Sequence, residues 1–179
     1  AESVRQGIIK SAAWKEYEYF GYFDADFATP LSELPHLMKG FESGKEIIFV
    51  AGSRVKRMGA SIIRTFKRHY FGRFFATIAG FMLKIPVYDT QCGAKLIKRE
   101  IALIVFEQPF ISRWLFDIEV FARIIGQVGY QNILNSVYEV PLNCWTEKGD
   151  SRIKPSYLLK VPPELWKIKR KYRKFLEKK

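Results

Sequence analysis

The chain has 179 residues, 48% of them hydrophobic and 16% aromatic, which suffices for a sizeable core in one domain and excludes wholesale disorder. Thirty Lys and Arg against 18 Asp and Glu give a formal charge of +12, calling for an anionic partner: a nucleotide, a nucleic acid or an acidic lipid surface. Two widely separated cysteines, Cys92 and Cys144, exclude a disulfide framework or a cysteine metal cluster, and no apolar run reaches the ~20 residues of a spanning helix.

In chain order, Val4, Ile8, Ile9 and Ala12 recur at helical spacing and predict a helix over residues 1–16. The aromatic run Tyr19-Phe20-Gly21-Tyr22-Phe23 reads as a buried strand of a parallel sheet. It leads straight into Asp24 and Asp26 before Thr29-Pro30 breaks it. In open α/β sheets ligands bind beyond the carboxyl ends of the strands, where this acidic pair falls. Two carboxylates there repel unless a cation sits between them, and hard oxygen ligands suit Mg2+ or Mn2+ together with substrate phosphates. By itself the D-x-D pattern fits a solvated turn after a strand better than a metal site.

Leu31–Phe41 predicts a second helix, and Ile47–Ala51 a strand that delivers Gly52-Ser53-Arg54 to the same sheet edge. From Ser61 to Leu83 apolar and basic residues interleave at helical spacing, with Arg64, Lys67, Arg68 and Arg73 among aromatics. This suits a helix on a membrane surface and, equally, a core helix with a solvated basic face. Tyr88–Lys95 is a polar loop ahead of Leu96-Ile97. Glu100–Phe106 predicts a short helix. Arg113–Val120 leads into another that runs to Ile125, whose first turn favours the negative charge of Asp117 and Glu119. Val137–Leu142 predicts an edge strand closed by Pro141. Lys160–Lys179 is strongly basic, with Trp166, Tyr172 and Phe175 spaced among the cations.

Several stretches, taken in this order, resemble the family 2 glycosyltransferases of GT-A fold. They are Val4-Arg5-Gln6-Gly7, Asp24-Ala25-Asp26, Gly52-Ser53-Arg54, Asp89-Thr90-Gln91-Cys92-Gly93-Ala94-Lys95, Arg113-Trp114-Leu115-Phe116-Asp117-Ile118-Glu119, Trp145-Thr146-Glu147 and Ser151-Arg152-Ile153. Within that family the likeness is to the polyprenyl- and dolichyl-phosphate hexosyltransferases, particularly the dolichyl-phosphate β-glucosyltransferase-like branch. The resemblance implies an α/β fold, a mostly parallel Rossmann-like sheet flanked by helices. Family members carry a βαβ unit for base and ribose ahead of the Val4–Gly7 helix, so about 80 residues of an N-terminal nucleotide-binding part are expected to be missing. Residues 1–145 are then expected to hold the diphosphate and acceptor half, with a central strand left unpaired. Residues 146–179 are expected to form a basic aromatic segment for membrane-surface attachment.

The resemblance further implies transfer of a hexose, with inversion, from a nucleotide-diphosphate sugar to a polyprenyl phosphate by a peripheral enzyme at the cytoplasmic face of a membrane. Asp24 and Asp26 are the expected ligands of Mg2+ or Mn2+. Ala28 stands where the mannosyl branch often carries Gln, which leans away from that branch. Arg54, Lys95, Arg152 and Asp89 form the expected phosphate-binding set, guanidinium forks suiting phosphate geometry. Asp117 aligns with the general base of many family members, with Glu119 beside it as a catalytic candidate. An ionised lipid phosphate needs no base, so Asp117 would then orient the site, whereas a sugar hydroxyl would give it a proton. A sugar-hydroxyl acceptor in surface polysaccharide synthesis is the competing enzymatic reading. A basic nucleic-acid-binding module is the reading from another class, although no RNA- or DNA-binding signature is present.

Overall fold

Alternating side chains along short strands build a four-stranded sheet with an apolar layer on each face. The computed structural model describes residues 1–43, 46–63, 76–148 and 159–177. The elements are α1 (Glu2–Ala12), β1 (Tyr19–Phe23), α2 (Leu34–Met38, between 3-10 turns at Leu31–Glu33 and Lys39–Glu42), β2 (Phe49–Ser53), β3 (Ser61–Ile63), α3 (helical at 76–83), β4 (Ala94–Lys98), α4 (Arg99–Val105), α5 (Phe116–Val128), α6 (Ile133–Ser136), β5 (Val137–Pro141), β6 (Cys144–Thr146) and α7 (Val161–Leu176). The sheet order is β1-β4-β2-β5. β2 and β5 pair in parallel, while β4 runs antiparallel to β1 and β2. Three of the four strands therefore point the same way, as an α/β sheet should, with a reversed β4 inserted between two of them. β3 and β6 form a separate parallel pair.

Successive residues of a strand face opposite sides of the sheet. Phe20, Phe49, Ala51 and Ile97 join the core beneath α1, α4, α5 and α7. Val50, Ala94, Leu96 and Val140 join the opposite core, with Leu37 of α2 and with Ile62 and Trp145 of the small sheet. The same alternation puts the cross-strand partners Tyr22 and Lys95 on the α5 side. Lys95 is fully buried there, so its ammonium has to find oxygen atoms at that face.

Three expectations change. β1, read as a buried strand of a parallel sheet, pairs antiparallel with β4, its only ladder partner among the described residues, and buries only Phe20. Residues 61–63 are strand rather than helix, because Ile62 packs into the core beside Trp145 and the β-branched pair suits a ladder. Residues 64–75 of that expected helix, Arg64 and Arg68 included, lie outside the described residues, and 76–83 are helical. The helix expected over Leu31–Phe41 is broken into 3-10, α and 3-10 turns, with Pro35 starting the α-helical turn. β6 has no recognisable sequence signal. It is held from outside, since the Glu33 carboxylate accepts the Asn143 and Cys144 N–H groups at 3.1 and 2.9 Å.

α5 is buried along nearly its whole length, and α7 lies on it. Val161, Ile168, Tyr172 and Leu176 of α7 enter the same core as the sheet. The opposite face of α7 exposes Lys167, Lys169, Arg170, Lys171, Arg173 and Lys174.

Candidate active site

Beyond the end of β1, the Asp24 N–H donates to the Gly93 carbonyl at 2.7 Å, extending the β1–β4 pairing one step past the ladder. A Cβ at Gly93 would overlap the Asp24 carboxylate, so only glycine lets that side chain lie against the loop. Asp26 folds back on its own turn, with Oδ1 accepting the Ala28 N–H at 3.0 Å. The next residue, Phe27, is exposed and holds φ at 54°, an uncommon conformation for a bulky side chain and the kind of strain that gathers at functional sites. Asp24 keeps solvent access, yet the protein packed around it, and then the negative charge of Asp117, raise its pKa above the ordinary carboxylate value. Lys95 and Arg54 oppose that shift, and Asp26 adds to it.

Asp24 and Asp26 are the carboxylates here that could hold a divalent ion of the Mg2+ or Mn2+ type, which commonly takes one or two carboxylates together with phosphate oxygens. Among the described residues no group of three or more His, Cys, Asp or Glu is gathered to hold a metal alone.

Behind the acidic pair, Lys95 Nζ lies 2.9 Å from Asp117 Oδ1 and also donates to the Cys92 carbonyl. The Tyr22 hydroxyl donates to the same Asp117 oxygen at 2.7 Å. Burial first, and then the Asp117 charge, hold the Tyr22 phenol well above its ordinary pKa, so it remains a donor. Asp117 itself sits in the first turn of α5, where the helix dipole favours a carboxylate.

A second ion pair anchors the polar loop. Arg54 Nε and Nη2 grip Asp89 at 2.6 and 2.8 Å, and the Arg54 N–H adds a third contact at 3.2 Å. The guanidinium lies 5.3 Å from the Trp145 ring centroid, a cation–π contact. Burial alone would raise the Asp89 pKa, but the charge and hydrogen bonds of Arg54 outweigh it and bring the carboxyl down to about 2. The Glu139 carboxylate accepts the Tyr88 and Asp89 N–H groups at 2.8 and 2.7 Å. Burial pushes the Cys92 thiol up to about 12, which makes it a packing residue and no nucleophile. Among the described residues, buried Ser53 Oγ, Thr90 Oγ1 and Gln91 Nε2 have no hydrogen-bond partner.

No profile of a known protein family matches the chain. A dolichyl-phosphate beta-glucosyltransferase of Trichomonas vaginalis is 39% identical over 153 residues, covering 81% of this chain and 42% of that protein. The dolichyl-phosphate beta-glucosyltransferase of Mus musculus is 32% identical over 161 residues, covering 86% of this chain and 45% of its own length. Glucosyl-3-phosphoglycerate synthase of Mycobacterium tuberculosis, solved with uridine diphosphate, shares the fold at a TM-score of 0.57 and 17% identity, over 93% of this chain and 55% of that one. Over most of its length the chain is thus similar in sequence to dolichyl-phosphate beta-glucosyltransferases, and it shares the fold of that synthase.

The chain spans less than half the length of those two curated relatives. In it the sheet edge brings Asp24, Asp26, Lys95, Asp117 and the Arg54–Asp89 pair to one side. Arg152 lies outside the described residues. Glu119 points inward instead of toward the acidic pair; it is fully buried and bonded to Ser112, Tyr172 and Arg123. Two residues at this edge lie outside the sequence motifs: Tyr22 hides in an aromatic run, and Glu139 stands in an ordinary strand. Gly93 belongs to the Asp89–Lys95 motif, but its need shows only against Asp24. Tyr22 alone had a readable signal, being two residues before Asp24 and hence on the same side of the sheet.

Proposed function

We propose that this chain carries the diphosphate- and acceptor-handling part of an inverting, metal-dependent transferase that moves a hexose from a nucleotide-diphosphate sugar to a polyprenyl phosphate of dolichyl type. The observation that carries the reading is the Asp24–Gly93 cradle, which fixes an acidic pair at the end of β1 opposite a Lys95–Asp117 pair. Support comes also from the names of the curated relatives, and from the solved neighbour described with Mn2+ and uridine-diphosphate-glucose.

In the reaction an ionised phosphate oxygen of the acceptor forms the new bond to the anomeric carbon while the bond to the nucleotide diphosphate breaks, and no proton changes hands. Asp24 and Asp26 would hold a divalent ion, which when bound would supply Lewis-acid neutralisation of the leaving diphosphate. Lys95 adds positive charge behind the acidic pair, and Asp117, tied to Lys95 and Tyr22, is an orienting carboxylate for this acceptor. Arg54 presents the Asp89 loop and keeps a guanidinium edge for a phosphate, and Arg152 is assigned to the same set.

Among the described residues no helix is long and apolar enough to cross a membrane. The outer face of α7 suits attachment to the cytoplasmic side of an anionic bilayer, since it joins a run of cations to Trp166, 59% exposed, and Leu159, 80% exposed. The test is the full-length protein with Mn2+, a panel of nucleotide sugars and a short polyprenyl phosphate, alongside Asp24→Asn and Asp26→Asn. Glycosylated lipid phosphate from the parent and at least ~100-fold less from each variant is expected. Transfer unaffected by both substitutions, or made only to a sugar hydroxyl, would overturn the reading.

A further inference from the structure

A buried polar cluster links α7 to the residues just ahead of Asp117, and the transfer chemistry makes no direct use of it. Its centre is Ser112, 1% exposed. A serine hydroxyl has one proton to give and two lone pairs to accept with. Ser112 Oγ accepts the Trp114 N–H at 3.1 Å and the Leu115 N–H at 2.7 Å, and donates to Glu164 Oε2 of α7 at 2.5 Å. All three capacities are therefore used. The hydroxyl can accept both amides only while its proton points at α7, so Glu164 sets its rotamer.

A second strut runs through Glu119. The Ser112 N–H donates to Glu119 Oε1 at 2.9 Å, and the Tyr172 hydroxyl of α7 donates to Glu119 Oε2 at 3.2 Å. Arg123 completes it. Its Nε donates to the Tyr172 oxygen at 2.8 Å, Nη1 to the Val105 and Gln108 carbonyls at 2.6 and 2.7 Å, and Nη2 to the Pro109 carbonyl at 2.8 Å. The segment between α4 and α5 is thus held at both ends by groups bonded to α7. It finishes at Leu115, two residues before Asp117.

We propose that Ser112, Glu164 and Glu119 are positioning residues through which α7 fixes the turn that presents Asp117 to Lys95 and Tyr22. The proposal rests on the reading of Asp117 as part of a transferase site. Sub-ångström placement matters to such sites, where a displacement of about 1 Å costs on the order of a hundredfold in rate. An amide pair released from Ser112 lets the first turn of α5 shift by that kind of distance. Glu119 thereby acts on the reaction through Ser112 and never touches the substrate.

The experiment compares the full-length enzyme with Ser112→Ala, Ser112→Thr, Glu164→Leu and, as a stability control in the α7 core away from Ser112, Leu176→Ala. Thermal midpoint, kcat and the donor KM are measured for each. Ser112→Ala and Glu164→Leu are expected to lose about threefold to tenfold in kcat with a donor KM changed less than about twofold, Ser112→Thr to recover most of it, and Leu176→Ala to lose midpoint but not kcat. If Ser112→Ala does not fold, Glu164→Leu carries the test from α7. Full kcat in Ser112→Ala or in Glu164→Leu, or an equal kcat loss in a Leu176→Ala protein of matched midpoint, overturns the proposal while the transferase reading stands. A parent enzyme that transfers no hexose overturns the transferase reading first, and the positioning role falls with it.

Discussion

Lys95, the second residue of the reversed strand β4 and wholly buried, meets Asp117 in the first turn of α5 at 2.9 Å. The pair joins the sheet to the helix that covers it and faces the acidic turn after β1. Removing one partner of a buried pair leaves an uncompensated charge, which costs about 3–5 kcal/mol. Lys95→Met should therefore lose stability of that order in urea unfolding. The double variant Lys95→Met with Asp117→Asn should lose less than the sum of the two single losses, because neither charge is stranded. Strict additivity would mean that the two groups do not interact in solution.

Gly93 tests the cradle without touching a carboxylate. Alanine there forces the Asp24 side chain off its seat, since the added Cβ occupies the carboxylate's position. Hexose transfer should fall by about a hundredfold, as it would for loss of a metal ligand. The thermal midpoint should move little, because Asp24 is exposed and can swing into solvent. Ordinary activity in Gly93→Ala would show that Asp24 works from another position.

These two relationships mark what the sequence alone can carry. Asp24-Ala25-Asp26, the Asp89–Lys95 loop and Asp117 are readable because each is a local run of residue types. The strand that holds Tyr22 is readable as a strand, but its place at the sheet edge is not, since an apolar run looks alike in the centre and at the rim. The meeting of Lys95 with Asp117 depends on which strands pair and in which register. The inward turn of Glu119 follows from helical geometry, two residues along a helix lying on nearly opposite sides, but its partners on α7 are more than 50 residues away. The Ile62-Ile63 strand was masked by basic residues at helical spacing immediately after it.

Acid unfolding reports the Arg54–Asp89 pair. Asp89 has a folded pKa of about 2 against an ordinary value of 3.8, so between those values the unfolded chain binds more protons and stability rises with pH. The contribution is fully present above about pH 5 and is lost as the pH falls toward 2, amounting to roughly 2 kcal/mol for this shift. Unfolding free energy of the parent, followed from pH 6 to 2.5, should show this loss. Asp89→Asn should start lower and be correspondingly flatter across the window. Parallel curves would place the acid sensitivity elsewhere.

Asp117→Asn separates the two acceptor chemistries. Asparagine keeps an oxygen for the Tyr22 hydroxyl but gives up the charge that faces Lys95. An ionised phosphate acceptor needs no proton removed, so with polyprenyl phosphate the variant should keep transfer within about tenfold of the parent, assayed below its lowered unfolding temperature. A sugar hydroxyl relies on a base, and general-base catalysis contributes about 10²- to 10⁴-fold. With a hydroxyl acceptor the same substitution should therefore remove nearly all turnover. The decisive quantity is the ratio of the two losses in one preparation, since any shared defect in folding or donor binding cancels. A ratio near one, with both acceptors equally impaired, would make Asp117 a support for the donor and remove it from any role in choosing or activating the acceptor.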